Sequence, residues 1–255
     1  MNGFESHSIE HTSPSSLNMF AAAPCAWVAK YLFGHKFKFS HAARAGVLAE
    51  DAVVNILANG WTQEKATEEA IKSYNKACAF GASDSDLKRG DAITGMIENA
   101  VTELKQYGQP EFEGQLIGTG KQKKIELVCN GDGWRLPVIG FLDLDYPKHG
   151  LTVDLKTTMR LPSEMSDEHK RQGAIYKAAK GNHQVKFLYV SGKSFKWHDI
   201  ENHLPILAEV KVLLNRQEKF LAAGDRDFLK SIVPVNSGSY YWSDDSELRK
   251  SIYGI

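Results

Sequence analysis

GFLDLDYPKHGLTVDLK, running from Gly140 to Lys156, is the stretch whose reading decides the fold. Val138 to Tyr146 is apolar and β-prone, Pro147-Lys148-His149-Gly150 carries turn residues, and Leu151 to Thr158 is β-prone again. The pattern predicts two strands and a turn. Side chains alternate across a strand, so Val153 and Leu155 face one way and Asp154 and Lys156 the other. Closed around a four-residue loop, the strands pair Tyr146 with Leu151, Asp145 with Thr152, Leu144 with Val153 and Asp143 with Asp154. Two carboxylates then stand opposite each other, with Cβ atoms about 5 Å apart. Like charges so placed are destabilising unless something neutralises them. A divalent cation would, and Lys156 adds a positive charge on the same face. A different loop length would shift the register and put Asp145 in place of Asp143. Two acids beside a turn are, by themselves, ordinary solvated surface, so the functional reading depends on the rest of the chain.

The chain has 255 residues, enough for one large domain with a real core. Lys plus Arg and Asp plus Glu are both 31, so the net charge is zero. That excludes coating nucleic acid by bulk attraction and leaves room for a local basic groove. Cys25, Cys78 and Cys129 are far apart and odd in number, with no disulfide framework or zinc spacing. This usage fits a reducing cytoplasm. The first residues are polar and include Glu5, which is not a secretory pattern. Ala21 to Phe33 is short and interrupted by Pro24 and Lys30, so no membrane span is expected.

Residues 1–12 read as a mobile leader, and 13–255 as a single domain: a helical part over 13–109, a sheet-and-site part over 110–199, and a C-terminal helix and tail over 200–255. Helices are expected from Ser13 to Phe33 (divided at Pro24), Ser40 to Ala58 with Gly60 as the stop, Thr62 to Phe80, and Ser83 to Tyr107. Strands are expected over Phe112–Thr119, Lys123–Cys129 and Trp134–Tyr146, with Asn130-Gly131-Asp132-Gly133 as a hairpin turn, and then over Leu151–Thr158. A helix from Ser163 to Lys180, strands at Gln184–Ser191 and Lys196–Asp199, and a long helix from Ile200 to Ala223 follow. The tail from Phe228 is expected to pack as irregular structure around Tyr240-Tyr241-Trp242. The fold class is α+β, a mainly antiparallel mixed sheet flanked by helices behind a helical N-terminal part.

Residues four apart share a helix face. Gly46 and Glu50 have that spacing on the second helix, and Gln172 and Tyr176 on the helix after the central strands. Singly these are ordinary: a surface acid, a surface amide, a core-rim aromatic. Their order is more specific. Gly-x-x-x-Glu on an early helix, Gly-x-x-Asp on a strand, Asp-x-Lys on the next strand and Gln-x-x-x-Tyr on the next helix together resemble the PD-(D/E)XK nuclease superfamily, in its RecB-type and lambda-type exonuclease branch. Ser15-Ser16-Leu17 and Pro24-Cys25-Ala26-Trp27 look like the start of that branch, and the resemblance covers roughly residues 13 to 190.

The resemblance implies a restriction-endonuclease-like core and a metal-dependent exodeoxyribonuclease without sequence specificity, working in bacterial or phage DNA recombination, repair or degradation. It implies that Asp143, Asp154 and the backbone carbonyl of Leu155 bind Mg²⁺ or Mn²⁺, that Glu50 stands where many members carry a metal-binding histidine, and that Lys156 acts on the attacking water and the phosphate. Gln172 and Tyr176 would contact DNA beside the active site. There are departures: no proline precedes Asp143, and the middle acid is Asp154 rather than glutamate. Cys25 stands where some relatives carry an iron–sulphur ligand, but the tail has no cysteine cluster, so no iron–sulphur cluster is expected. The partner expected is linear, end-bearing DNA in the cytoplasm of a bacterium or phage-infected host, with a homo-oligomer or a recombination partner protein left open.

The chemistry stands without the family. Phosphodiester hydrolysis needs a nucleophilic hydroxide near neutral pH and stabilisation of phosphoryl charge, and a carboxylate-held cation supplies both. Hard oxygen ligands select Mg²⁺ or Mn²⁺ over zinc, and lysine serves as a point charge on phosphate. Among the basic groups, Lys170 and Arg171 are favoured as DNA contacts because they precede Gln172, and backbone contact would dominate over base reading. The competing reading is a non-catalytic nucleic-acid-binding or assembly protein of the same fold. It has no reason to keep opposed carboxylates.

Overall fold

The computed structural model describes residues 2–79, 81–112, 122–128 and 136–255. Most of the strand expected over Phe112–Thr119 and the whole Asn130–Gly133 turn lie outside the described residues, as do Phe80, Lys121, Cys129 and Trp134. The protein is α+β, with a mixed sheet between two helical layers. Helix α1 is Gly3–Ser6, α2 Pro14–Ala22 and α3 Pro24–Trp27, the last running into a π turn at Val28–Leu32. Then come α4 (His41–Asn59), α5 (Gln63–Cys78) and α6 (Asp84–Leu104). Strands β1 (Lys123–Leu127), β2 (Val138–Leu142), β3 (Leu144–Tyr146) and β4 (Leu151–Thr157) precede α7 (Asp167–Lys180). Strands β5 (Gln184–Val190) and β6 (Phe195–Asp199) and helices α8 (Leu204–Leu221), α9 (Arg226–Ile232) and α10 (Ser246–Tyr253) complete the chain.

Local chemistry sets these boundaries. Ser40 caps α4 by accepting from the Ala43 N–H, and Gly60 ends it in the left-handed region at φ 64°. Thr62 and Ser83 cap α5 and α6 in the same way. Pro24 opens a new helix at its first position, where its missing N–H costs nothing.

The four-stranded sheet has the order β3-β4-β5-β6. β3 with β4 and β5 with β6 are antiparallel, while β4 and β5 are parallel and joined across α7. β1 and β2 form a separate antiparallel pair. The register is Leu144 with Val153, Asp145 with Thr152 and Tyr146 with Leu151, as the four-residue loop requires. The ladder stops there. The expected Asp143–Asp154 backbone pairing is not made, because the chain bends at Asp143 between β2 and β3. Asp143 Oδ2 instead accepts from the Leu155 N–H at 2.9 Å.

Alternation along β4 sorts the core. Leu144, Val153 and Leu155 join the cluster under α4, α5 and α6, with Ala49, Val53, Ile93 and Ile97. The opposite face meets α7, and Val185, Phe187 and Ile175 join the second cluster with Trp27, Leu17 and Val210. Asp154 and Lys156 lie on that second face, beneath the start of α7.

Two expectations are corrected. Residues 2–12 are packed onto the domain. Asn2 and Glu5 form a capping box around α1, Phe4 is 2% exposed in the core, and His7 Nε2 lies 3.0 Å from the Leu221 carbonyl. A Cβ on Gly3 would come within 2.2 Å of the Glu218 carbonyl, so α1 lies directly on α8. The tail is also regular rather than irregular: Asp225 caps α9, Tyr240–Trp242 is a 3-10 turn, and α10 follows. Among the described residues no helix is long and apolar enough to cross a membrane.

Candidate active site

Three acids from three elements meet at the bend after β2. Glu50 comes from α4, Asp143 from the bend and Asp154 from the middle of β4. Gly46 makes the approach of α4 feasible: a Cβ there would sit 3.2 Å from Thr157 Oγ1, at the end of β4. The acids are bridged by N–H donors. Gln122 Nε2 donates to Glu50 Oε1 at 2.7 Å and to Asp143 Oδ1 at 2.8 Å. Gln172 Nε2 donates to Asp154 Oδ2 at 2.7 Å, and Lys156 Nζ is paired with Asp154 Oδ1. Tyr176 accepts from Gln172 Nε2 at 3.0 Å and donates to the Phe141 carbonyl at 2.7 Å. Gly140 is what lets that ring lie against β2, since a Cβ there would stand 2.6 Å from Tyr176 Cε1.

Burial and mutual repulsion set the protonation. Burial, then the Asp154 charge, pushes the Glu50 carboxyl up from 4.5 to about 7. Asp143 is driven well above the carboxylate range by burial and by the Asp154 and Glu50 charges. Asp154 is raised by burial, against the opposing pull of Lys156. Burial works against the charge on Lys156, but Asp154 and Asp143 outweigh it, and the ammonium is held above its ordinary range. Buried Asp143 and Asp154 and the half-buried Glu50 share one ammonium, so the three carboxylates are costly to ionise together.

Among the described residues no group of three His, Cys, Asp or Glu side chains stands ready arranged around a metal position. Glu50 and Asp143 converge on Gln122, and Asp154 turns to Lys156 and Gln172. The donor chemistry nevertheless fits a hard divalent cation. The donors are carboxylate oxygens, two of them from different elements aim at one N–H group, and both are raised by burial and by the charge of Asp154. Leu155 brings its backbone to the site, its N–H donating to Asp143, while its side chain is buried on the other face.

An open cleft of about 360 Å³ leads to this cluster, its lining including Asp143, Lys156, His169, Gln172, Asn18 and Tyr241. A larger cavity of about 750 Å³ between α5 and α6 contains none of the acids, and volume alone does not make it a reaction site. Of the predicted residues, Glu50, Asp143, Asp154, Lys156, Gln172 and Tyr176 come together. Lys170 does not. It lies two residues before Gln172 on α7, pairs with Asp167 at 3.5 Å and lines a separate pocket with His198 and Asp199. Arg171 stays beside the cleft, with Nε donating to Asn18 Oδ1 at 2.7 Å. Tyr176 is 3% exposed with its hydroxyl committed, so its ring offers no face for a base. Its part is to hold Gln172.

Asp145 is not an alternative to Asp143. It is buried on its own, bonded to Lys123 at 2.7 Å, Lys180 at 2.9 Å and Thr152 at 2.8 Å. Burial raises its carboxyl, and these partners outweigh burial and hold it below its ordinary value. Gln172, Tyr176 and Lys180 thus fasten one face of α7 to the sheet at four-residue intervals. Cys25 is buried, with Sγ accepting from Trp242 Nε1 at 3.4 Å.

Two further residues belong to the site, Gln122 without a sequence signal and His169 marked only as part of the basic run before Gln172. Gln122 is a lone amide with no pattern around it. His169 lies three residues before Gln172, with Nδ1 2.5 Å from the Tyr189 hydroxyl. Burial and the Lys156 charge hold that imidazole down to about 4, so it is neutral at neutral pH.

Fold and cleft together define an α+β protein with a largely buried carboxylate–lysine cluster where β4 meets the bend after β2. Compared with known proteins, the chain matches no family model and no curated protein.

Proposed function

We propose that this protein is a divalent-metal-dependent deoxyribonuclease of the PD-(D/E)XK type, built on a restriction-endonuclease-like core, that hydrolyses phosphodiester bonds from DNA ends without sequence preference. The observation that carries the reading is the convergence of Glu50, Asp143, Asp154 and Lys156, from a helix, a bend and a strand, at the base of a cleft that Asp143 and Lys156 line. Glu50, Asp143 and Asp154, with the Leu155 carbonyl, would hold Mg²⁺ or Mn²⁺. A cation bound there acidifies water and polarises a phosphoryl oxygen.

The chain's own residues do the rest. Lys156 is protonated and held by Asp154, so its charge is available to a phosphate oxygen in the cleft. The Leu155 N–H fixes the carboxylate of Asp143, and Gln172, itself fixed by Tyr176, fixes that of Asp154. Such positioning keeps the reacting groups within a fraction of an ångström of their working geometry. Arg171 and Asn18 border the path by which the phosphate backbone enters. In the reaction a water oxygen bonds to phosphorus as the phosphorus–ester oxygen bond breaks, leaving a phosphomonoester and a hydroxyl.

The test offers one plasmid to the protein as linear DNA and as a covalently closed circle, in Mg²⁺ or Mn²⁺, with and without a chelator. Progressive loss of the linear form alone, abolished by the chelator, is expected. No cleavage of either form would overturn the reading, and rapid linearisation of the circle would replace end-directed with internal cutting.

A further inference from the structure

We propose that Tyr240 and Tyr241 form a stacking platform at the mouth of the cleft that takes the unpaired bases of a DNA single strand, so that the substrate end is held as a single strand. This rests on the nuclease reading and supplies its substrate form.

The first observation is placement. Tyr241 lines the same cleft as Asp143, Lys156 and Gln172, although it lies about a hundred residues from the first of these in sequence. Tyr240 stands beside it with ring centroids 4.7 Å apart, and it is 70% exposed, more than any other large apolar side chain among the described residues. An aromatic ring so exposed has a face open to a stacking ligand.

The second observation is rigidity. The turn is nailed down by its next residue: Trp242 is 2% exposed, bonded to Cys25 Sγ, with its ring 5.0 Å from Phe37 and 6.3 Å from Tyr253. Tyr253 in turn donates to the Cys25 carbonyl at 2.7 Å. Ser239 caps the turn by accepting from the Tyr241 N–H. An exposed ring beside a half-buried one on an anchored turn is pre-organised, so a ligand need not order them.

The third is charge. Glu168, at the start of α7, also lines the cleft and acts on both tyrosines. Arg171 offsets that charge at Tyr241, so the rings offer their faces to bases while the basic groups of the cleft take the phosphates. Lys156, deeper in the cleft, is the phosphate end. Phe141, 50% exposed beside Asp143, continues the apolar surface on the other lip. Bases already stacked in a duplex present only the terminal pair to such a wall, whereas every base of a single strand has a free face.

The experiment measures binding of fluorescently labelled oligothymidylate and of a blunt hairpin duplex by anisotropy. It uses the full chain carrying Asp154→Asn, in chelator, so that hydrolysis does not intervene. Adding Tyr240→Ala should weaken oligothymidylate binding roughly five- to 150-fold, the range expected for one lost base stack, and leave the hairpin within about twofold. Tyr240→Phe, which keeps the ring, should bind as the parent does, and an abasic oligomer should not distinguish Tyr240→Ala from the parent. Unchanged oligothymidylate binding in Tyr240→Ala overturns the platform, as does an equal loss on the hairpin, a loss in Tyr240→Phe or a loss with the abasic oligomer. The two readings fail separately. A protein that digests linear DNA while Tyr240→Ala binds normally is a nuclease without this platform. A protein that cleaves nothing yet shows the ring-dependent loss has the platform without the activity.

Discussion

Glu50→Gln isolates the electrostatic claim at the centre of the site. In metal-free protein the Glu50 carboxyl is raised from 4.5 to about 7, first by burial and second by Asp154. A group whose folded pKa is raised contributes stability that is fully present below its unfolded pKa and is lost as pH rises through the folded one. Wild-type protein in chelator should therefore lose stability from about pH 4.5 until Glu50 is fully ionised. The whole shift corresponds to roughly 3 kcal/mol, of which about 2 kcal/mol falls between pH 5.5 and 8.5. Glutamine has no proton to release, yet it still offers Gln122 an acceptor oxygen in place of Glu50 Oε1. The variant should gain on wild type by about 4–8 °C in Tm between those two pH values. Asp143 ionises more readily once Glu50 is neutral, which adds to the variant's gain. The assay is thermal unfolding followed by circular dichroism in chelator at pH 5.5 and 8.5, repeated with Mg²⁺. Mg²⁺ should raise wild type at pH 8.5 more than the variant. The same offset between the two proteins at both pH values would refute the argument, because it would mean that Glu50 carries no pH-dependent repulsion.

Other substitutions separate the roles of neighbours. Lys156→Ala leaves buried Asp154 without its ammonium, so metal-free protein should lose about 3 kcal/mol at pH 8; hydrolysis should vanish while calorimetry still detects Mn²⁺ binding, and loss of that binding would contradict the division. Gly140→Ala puts a Cβ 2.6 Å from Tyr176 Cε1. It should displace the ring, free Gln172 and lower kcat about tenfold or more with little change in KM, whereas an unchanged kcat would remove Tyr176 from the positioning chain. Phe4→Ala should cost about 3–5 kcal/mol in a urea titration, since the side chain is fully in the core, and an unchanged midpoint would mean that residues 2–12 do not pack on the domain.

The local code of this chain is plain where one short-range rule decides. Ser40 and Gly60 bound α4 within a residue of the expected limits because a cap side chain and a left-handed glycine are both local signals. The β3–β4 register follows from the side-chain period and the length of the Pro147–Gly150 loop. What escaped depends on long-range packing. Nothing near Gln122 says that its amide will join Glu50 to Asp143, residues on two other elements. Lys170 looked like a DNA contact by adjacency to Gln172, but two helical residues turn about 200°, which carries it out of the cleft. Tyr176 looked like a DNA contact, and its burial is visible only once β2 lies over it. The Asn2–Glu5 capping box was a readable sign that the leader is ordered, obscured by the polar residues around Phe4. The tail was least legible: its rings are placed by Trp242 packing onto Cys25, a contact spanning most of the chain.

The most direct test of the central claim compares wild-type protein with Asp154→Asn on end-labelled linear DNA in Mg²⁺, with circular dichroism confirming that both are folded. Asparagine keeps the shape of the side chain and an acceptor for the Gln172 amide, but it removes the charge that pairs Lys156 and would hold the cation. Wild-type protein should release labelled nucleotide progressively, and the folded variant should release none above background. Release by Asp154→Asn at the wild-type rate would contradict the account, since hydrolysis would then take place somewhere other than this cleft.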